Sequence, residues 1–292
     1  MFRRSIAIAI FLCLVGVIAS YVIPLAVSAH AGASIEVAPP QVMQGEAALA
    51  TIEGVDIRDI KKFTFGGKAV PLFVYKGEPT AFLGADLSLR PQTYKLVAHL
   101  FDGEKVEQSF TVLPRPKHTA PLGIPQKLGG NTSAAQRNLV SEMTKENLAL
   151  SRLVSSRSVY WKEPFILPLA QNVISDVFGY SRKTGTYNIP HRGVDFTAAS
   201  GTPVFAINEG RVALAREFIV YGKMVAIDHG AGVVSLYLHF SDMLVKEGEK
   251  VKRGQQIGFS GDSGYALLPH LHLSIRVNGY SVDPMKFLEL IR

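Results

Sequence analysis

The stretch "LLPHLHLSIRV", Leu267–Val277, sets His270 and His272 two positions apart and then runs on in apolar, β-prone residues. Such a run reads as a strand, and on a strand residues i and i+2 point to the same face. The pattern predicts two rings side by side in one space, which suits a metal or a proton-transfer site. Eight histidines in 292 residues produce roughly 0.2 His-x-His pairs by accident, so the motif needs support from its surroundings.

Upstream, "PVFAINEGRVALAREF", "KMVAIDHG" and "VVSLYLHF" continue the β-prone pattern between glycines such as Gly201, Gly210, Gly230 and Gly258. A β-rich domain over residues 161–292 is expected. Ahead of these strands lies "NIPHRGVDF", in which His191 and Asp195 are four apart. Pro190 and Gly193 argue against a helix there, and in an extended segment i and i+4 also share a face. Histidines with a carboxylate and one open position have the composition of a catalytic zinc site, whereas a structural zinc usually closes its shell with four protein ligands. No His-Glu-x-x-His occurs, which excludes the thermolysin type of zinc peptidase.

The single cysteine, Cys13, sits in the apolar run of "MFRRSIAIAIFLCLVGVIASYVIPLAVSAHA" and reads as hydrophobic filling. Any metal site is therefore restricted to His and carboxylate. Arg3 and Arg4, the apolar run to about Ser28 and the small residues Val27, Ala29 and Ala31 describe an export signal over residues 1–31. The run is also long enough to stay as an uncleaved membrane anchor. Either way the remainder is expected in the periplasm, cell envelope or extracellular space. A net charge of +7 favours anionic surroundings such as cell-wall polymers. Basic residues are dispersed without aromatic interleaving, so nucleic acid is excluded as a partner.

Residues 32–113 alternate short β-prone runs with turn signals. "YKLVAHLFDGEKVEQSFTVL" is a hairpin turning at Asp102-Gly103, and "SIEVAP", "EAALATIEG" and "KFTFGGKAVPLFVY" have similar lengths. A small β-sandwich resembling an immunoglobulin-like module is expected, with His99 packing in its strand. Residues 114–160 follow as a Pro/Gly-rich linker containing His118, then a helix with Leu139, Met143, Leu150 and Val154 along one stripe, capped by Asn131, Thr132 or Ser133. The stripe suggests a helix packed on a neighbouring domain, or one limiting access to a site.

In order from about Phe178 to Pro284, "HRGVDFTAASGTPVFAINEGRVALA", "YGKMVAIDHGAGVVSLYLHFS", "VKEGEKVKRGQQIGFSGDSG" and "PHLHLSIRVNGYSVDP" resemble the signature segments of lysostaphin/LytM-type zinc endopeptidases, which cut peptidoglycan. The resemblance implies a mainly β chain whose C-terminal domain is LytM-like, of the duplicated hybrid motif type. It implies Zn2+ bound by His191, Asp195 and His272, with His239 and His270 as catalytic histidines. Asn188 is implied to contact substrate, and His229 to be structural. The implied activity is hydrolysis of peptide bonds in peptidoglycan stems or cross-links by metal-activated water. A non-catalytic, peptidoglycan-binding activator of another wall hydrolase is the alternative, although such relatives usually lack a ligand position. Two departures stand out: ahead of the His pair, where small residues ending in Gly-Pro are common, this chain has Ala266, Leu267 and Leu268 before Pro269, and after it Leu273-Ser274 stands where an aromatic-acidic pair is common. They imply an altered groove rather than a lost metal.

Overall fold

Short strands bounded by Gly, Pro and Asp account for nearly half of the described residues, and a computed structural model describes residues 32–291. The expected export segment lies outside the described residues. Among the described residues no helix is long and apolar enough to cross a membrane.

The N-terminal strands are β1 (Ser34–Ala38), β2 (Gln41–Met43), β3 (Ala47–Glu53), β4 (Ile60–Phe65), β5 (Lys68–Val70), β6 (Phe73–Tyr75), β7 (Glu78–Gly84), β8 (Gln92–Leu100) and β9 (Lys105–Leu113). They form two sheets, ordered β1-β3-β7-β6 and β2-β9-β8-β4-β5. Both contribute to one apolar layer containing Ile52, Phe63, Leu83, Leu96 and Phe110, which makes a sandwich. The turn between β8 and β9 contains Asp102 and Gly103, and Gly103 takes the positive φ (96°) that glycine adopts without strain.

The remaining elements are β10 (Thr119–Pro121), α1 (Ser133–Ser151), β11 (Ile174–Asp176), β12 (Ser181–Thr184), β13 (Tyr187–Pro190), β14 (Val194–Thr197), β15 (Pro203–Phe205), β16 (Gly210–Phe218), β17 (Gly222–Gly230), β18 (Val233–Met243), β19 (Lys250–Val251), β20 (Gln256–Ser260), β21 (His270–Val277), β22 (Tyr280–Val282) and α2 (Pro284–Leu290). The principal sheet runs β11-β14-β21-β18-β17-β16-β19. Its central strands are apolar on both faces because both faces are covered. Val225, Ile227, Val233, Tyr237, Leu271, Leu273, Ile275 and Val277 enter one core. On the opposite face Met224, Ala226, Val234, Leu236 and Leu238 pack with Leu150 of α1.

The first of these cores also takes in Phe82 of β7, which stands 5.6 Å from Phe287 and 6.5 Å from Trp161, ring centre to ring centre. The sandwich and the C-terminal sheet therefore share buried apolar surface. This explains why β7 is buried from Pro79 to Gly84 with no polar-apolar alternation to reveal it in the sequence.

The stretch read as a linker is structured. β10 pairs in parallel with β12, and Ile124 is buried. Thr132 is the residue that caps α1, its side chain accepting from the Ala135 N–H at 3.2 Å. Leu139 and Leu150 are buried as the stripe requires, but Val154 lies past the helix end and is 84% exposed. The helix has stopped before Val154 reaches its face, because the chain leaves helical geometry after Arg152. The buried stripe contains an acid instead: Glu146 accepts from the Val220 N–H at 2.9 Å and the Tyr221 N–H at 3.1 Å.

Replacing Phe82 by Ala should destabilise the chain by about 3–5 kcal/mol. With a shared core, denaturant unfolding followed by tryptophan fluorescence (Trp161) and by far-UV circular dichroism should shift together. Separate transitions with only one displaced would contradict the shared core.

Candidate active site

Side chains alternate along β21, so Leu271, Leu273, Ile275 and Val277 enter the core while His270, His272, Ser274 and Arg276 line a groove on the other face. The antiparallel register with β14 sets Asp195 directly opposite His272. His191 comes from the short segment between β13 and β14. Its backbone is tied on both sides: its N–H donates to Tyr180 O at 2.7 Å and its carbonyl accepts from the Gly179 N–H at 2.8 Å.

Three donor atoms converge here. His191 Nε2 and Asp195 Oδ1 are 3.1 Å apart, His191 Nε2 and His272 Nδ1 3.1 Å, and His272 Nδ1 and Asp195 Oδ1 2.7 Å. Among the described residues this is the group of His, Cys, Asp and Glu side chains placed to hold one metal ion. Gly193 is required by the same geometry: a Cβ on it would run into His272 Nε2 and Leu273 O.

Each imidazole of this cluster has its other nitrogen committed. His191 Nδ1 faces Val177 O at 2.8 Å; a carbonyl only accepts, so Nδ1 carries the proton and Nε2 offers its lone pair to the site. His272 Nε2 is 3.1 Å from Ser274 Oγ, and Ser274 Oγ donates to Arg192 O at 2.5 Å. Since the serine proton is spent on that carbonyl, the hydroxyl accepts from His272 Nε2–H and leaves Nδ1 free for a metal. The serine that stands in place of an acidic residue thus supplies the outer hydrogen bond that metal-binding imidazoles usually have. On the carboxylate, Asp195 Oδ2 accepts from Arg182 Nη2 at 3.1 Å, and Arg182 also pairs with Asp176. Burial opposes ionisation of Asp195, but its contacts with the His191 and His272 side chains outweigh it and hold the carboxyl well below the ordinary range. The donor set of two imidazole nitrogens and a carboxylate oxygen fits zinc or a similar divalent ion.

The other two histidines flank this cluster. His270 Nδ1 donates to Leu268 O at 2.8 Å, and His270 Nε2 lies 3.8 Å from Asp195 Oδ1. His239 Nδ1 donates to Ser263 O at 2.8 Å, and its ring centre is 4.7 Å from that of His270. Burial, with the charges of His270 and His272 adding to it, pushes His239 down to about 3, so this ring is neutral at pH 7. Its position depends on irregular backbone. Leu238 already faces the groove, so a regular strand would send His239 to the other side. Instead β18 carries register irregularities around it and His239 has φ of 65°, turning its side chain back to the groove face.

The groove has a volume of about 640 Å³. Its other wall is α1, through Leu139, Met143, Asn147 and Leu150, and its rim carries Leu267 and Leu268, which are 62% and 74% exposed. Asn188, the expected substrate contact, is exposed on β13 outside this lining, while its neighbours Ile189 and Pro190 line the groove. His229 is fully buried and bonded to Glu209 O and Ser235 Oγ, a structural position. Sequence reasoning missed Arg182, whose segment offers no periodic pattern to mark it.

Changing Ser274 to Ala should lower zinc affinity about 10- to 100-fold, measured by competition with a chromophoric chelator. Unchanged affinity would show that the hydroxyl does not hold the His272 tautomer.

The donor set, the committed outer nitrogens and the two flanking imidazoles define a metal-dependent hydrolase type of site. Residues 189–284 match the family described as Peptidase family M23, so the chain carries a metallopeptidase domain of that family. Peptidoglycan DD-endopeptidase ShyA of Vibrio cholerae is 45% identical over 97 residues, covering 33% of this chain and 23% of that protein. DD-carboxypeptidase/endopeptidase Mpg of Neisseria meningitidis is 39% identical over 122 residues, 41% of this chain and 28% of that protein. The chain thus spans about a quarter of the length of these two relatives. A crystal structure from Pseudomonas aeruginosa assigned to peptidase M23 superposes with a TM-score of 0.62 at 26% identity, covering 85% of this chain and 95% of that one.

Proposed function

We propose that the protein is an exported zinc endopeptidase that hydrolyses peptide bonds in the stems or cross-links of peptidoglycan. The observation that carries this reading is the convergence of His191 Nε2, Asp195 Oδ1 and His272 Nδ1 within 3.1 Å of one another, beside two further imidazoles. The likeness to proteins named for peptidoglycan endopeptidase activity supports the substrate. Export is supported by the charged, then apolar, then small-residue pattern of residues 1–31.

His191, Asp195 and His272 would hold the zinc, which when bound supplies Lewis-acid polarisation of the scissile carbonyl and activation of water at neutral pH. Arg182 holds one carboxylate oxygen of Asp195, leaving the other to the metal. Both catalytic histidines have Nδ1–H tied to a carbonyl, so each presents an Nε2 lone pair to the reacting groups. Either can therefore take a proton from water and return it to the leaving amine. His270 is the better placed base, since its Nε2 stands 3.8 Å from the carboxylate oxygen in the donor cluster. His239, held neutral by burial, would present its Nε2 lone pair as a hydrogen-bond acceptor beside the reacting groups. The reading as a non-catalytic activator is disfavoured because all five His and Asp positions are filled and gathered into the groove.

Digestion of chemically defined peptidoglycan by the zinc-loaded protein should release products with new amine and carboxyl termini, read by mass spectrometry, and Asp195→Ala should release none. Absence of products despite one zinc per chain would favour the activator.

α1 narrows the groove and is held there by the Glu146 carboxylate on Val220 and Tyr221. Weakening that hold with Glu146→Gln should raise the rate on intact sacculi several-fold while barely altering that on a short peptide. Equal effects on both substrates would show that the helix does not limit access.

A further inference from the structure

Four positions beyond His272 on the same face of β21 stands Arg276, about 13 Å along the strand from the metal site, and it lines the same groove. Its guanidinium has five N–H donors. Nη1 donates to Leu150 O at 3.0 Å, at the C-terminal end of α1, while Nε is shut from solvent with no hydrogen-bond partner. Among the described residues no carboxylate forms an ion pair with it. Arg192, whose charge acts on Arg276, is itself paired with Asp86 at 2.9 Å. Tyr221, which also faces this end of the groove, is hydrogen-bonded to Asn147 Oδ1 at 2.9 Å. Burial, reinforced by the charge of Arg192, pushes Arg276 below the usual arginine range.

An uncompensated, partly buried guanidinium is expensive to keep, and it stabilises the fold only through one carbonyl. The free end of its planar fork, Nη2 with the second N–H of Nη1, matches a carboxylate, which it can engage through two parallel bonds. Leu150 O and Tyr221, the groups shown against it at this end of the groove, bring no carboxylate to it. Resting on the endopeptidase reading above, we infer that Arg276 is a specificity-determining subsite that receives a free carboxylate of the substrate peptide. An extended peptide rises about 3.3–3.6 Å per residue, so the carboxylate belongs roughly four residues' length from the cleaved bond. Peptides with that group amidated are then poorer substrates.

The experiment compares paired synthetic stem peptides, identical except for a free or amidated carboxylate, with the full zinc-loaded chain and its Arg276→Gln and Arg276→Lys variants. The wild type should favour the acid over the amide roughly 10- to 100-fold in kcat/KM, as expected for a charge-assisted hydrogen bond. The difference should lie mainly in KM. Arg276→Gln should bring the ratio to near one by losing the acid substrate alone, and Arg276→Lys should keep part of it. A wild type that cleaves both equally, or variants that slow both equally and keep the ratio, would overturn the subsite. The wild-type ratio needs no variant, so a misfolded variant leaves the question answerable. If the wild type cleaves neither peptide, the endopeptidase reading fails separately, and calorimetric binding of the same pair decides the subsite. Tighter binding of the acid, lost in Arg276→Gln, upholds it; equal binding overturns it.

Discussion

The antiparallel pairing of β14 with β21 is the constraint on which the site depends. It sets Asp195 opposite His272 and Thr197 opposite His270. A slip by one residue would turn Asp195 to the core and Phe196 to the groove, because strand side chains alternate. The register is locked from the other face, where Val194, Phe196, Leu271 and Leu273 are almost completely buried in one core. Gly193 then allows the chain to pass so close to His272 that a methyl group would collide. Packing energy on one face thereby fixes chemistry on the other.

Polar residues around the cluster orient it without touching the reacting atoms. Val177 O and Ser274 Oγ set the tautomers of His191 and His272, Ser263 O and Leu268 O do the same for His239 and His270, and Arg182 holds the second oxygen of Asp195. Most of these partners are backbone carbonyls of the turns and loops that flank the strands: Val177 just past β11, Ser263 after β20 and Leu268 ahead of β21. The rest of the groove is less polar: exposed Leu267 and Leu268 on the rim and the helix wall α1. Selectivity among substrates is therefore expected to reside in the rim, the helix and Arg276 rather than in the metal ligands.

Legibility in the sequence follows the regularity of the backbone. The shared face of His270 and His272 was readable because β21 is a regular strand, and the β-rich character of both halves followed from short apolar runs between turn residues. His239 was invisible to spacing because a bulge and a positive φ break the alternation on which such reasoning relies; only its resemblance to a family pattern marked it. Asn188 carried the same resemblance and is exposed on β13, next to the groove-lining Ile189 and Pro190. The role of Ser274 was hidden because a hydroxyl acquires meaning only through its neighbours, here His272 and Arg192. Proline and glycine after Leu113 suggested a free linker, but those residues donate few backbone bonds themselves while β10 and Ile124 dock. Val154 continued the apolar spacing past the point where the helix ends.

The most direct test of the metal centre is anomalous diffraction at the zinc edge from crystals of the zinc-loaded protein. We expect one strong peak per chain, bound by His191 Nε2, Asp195 Oδ1 and His272 Nδ1, with His239 and His270 outside bonding distance. A peak ligated by His239 or His270 in place of any of those three, or no peak in the groove, would contradict the assignment of ligands and catalytic histidines.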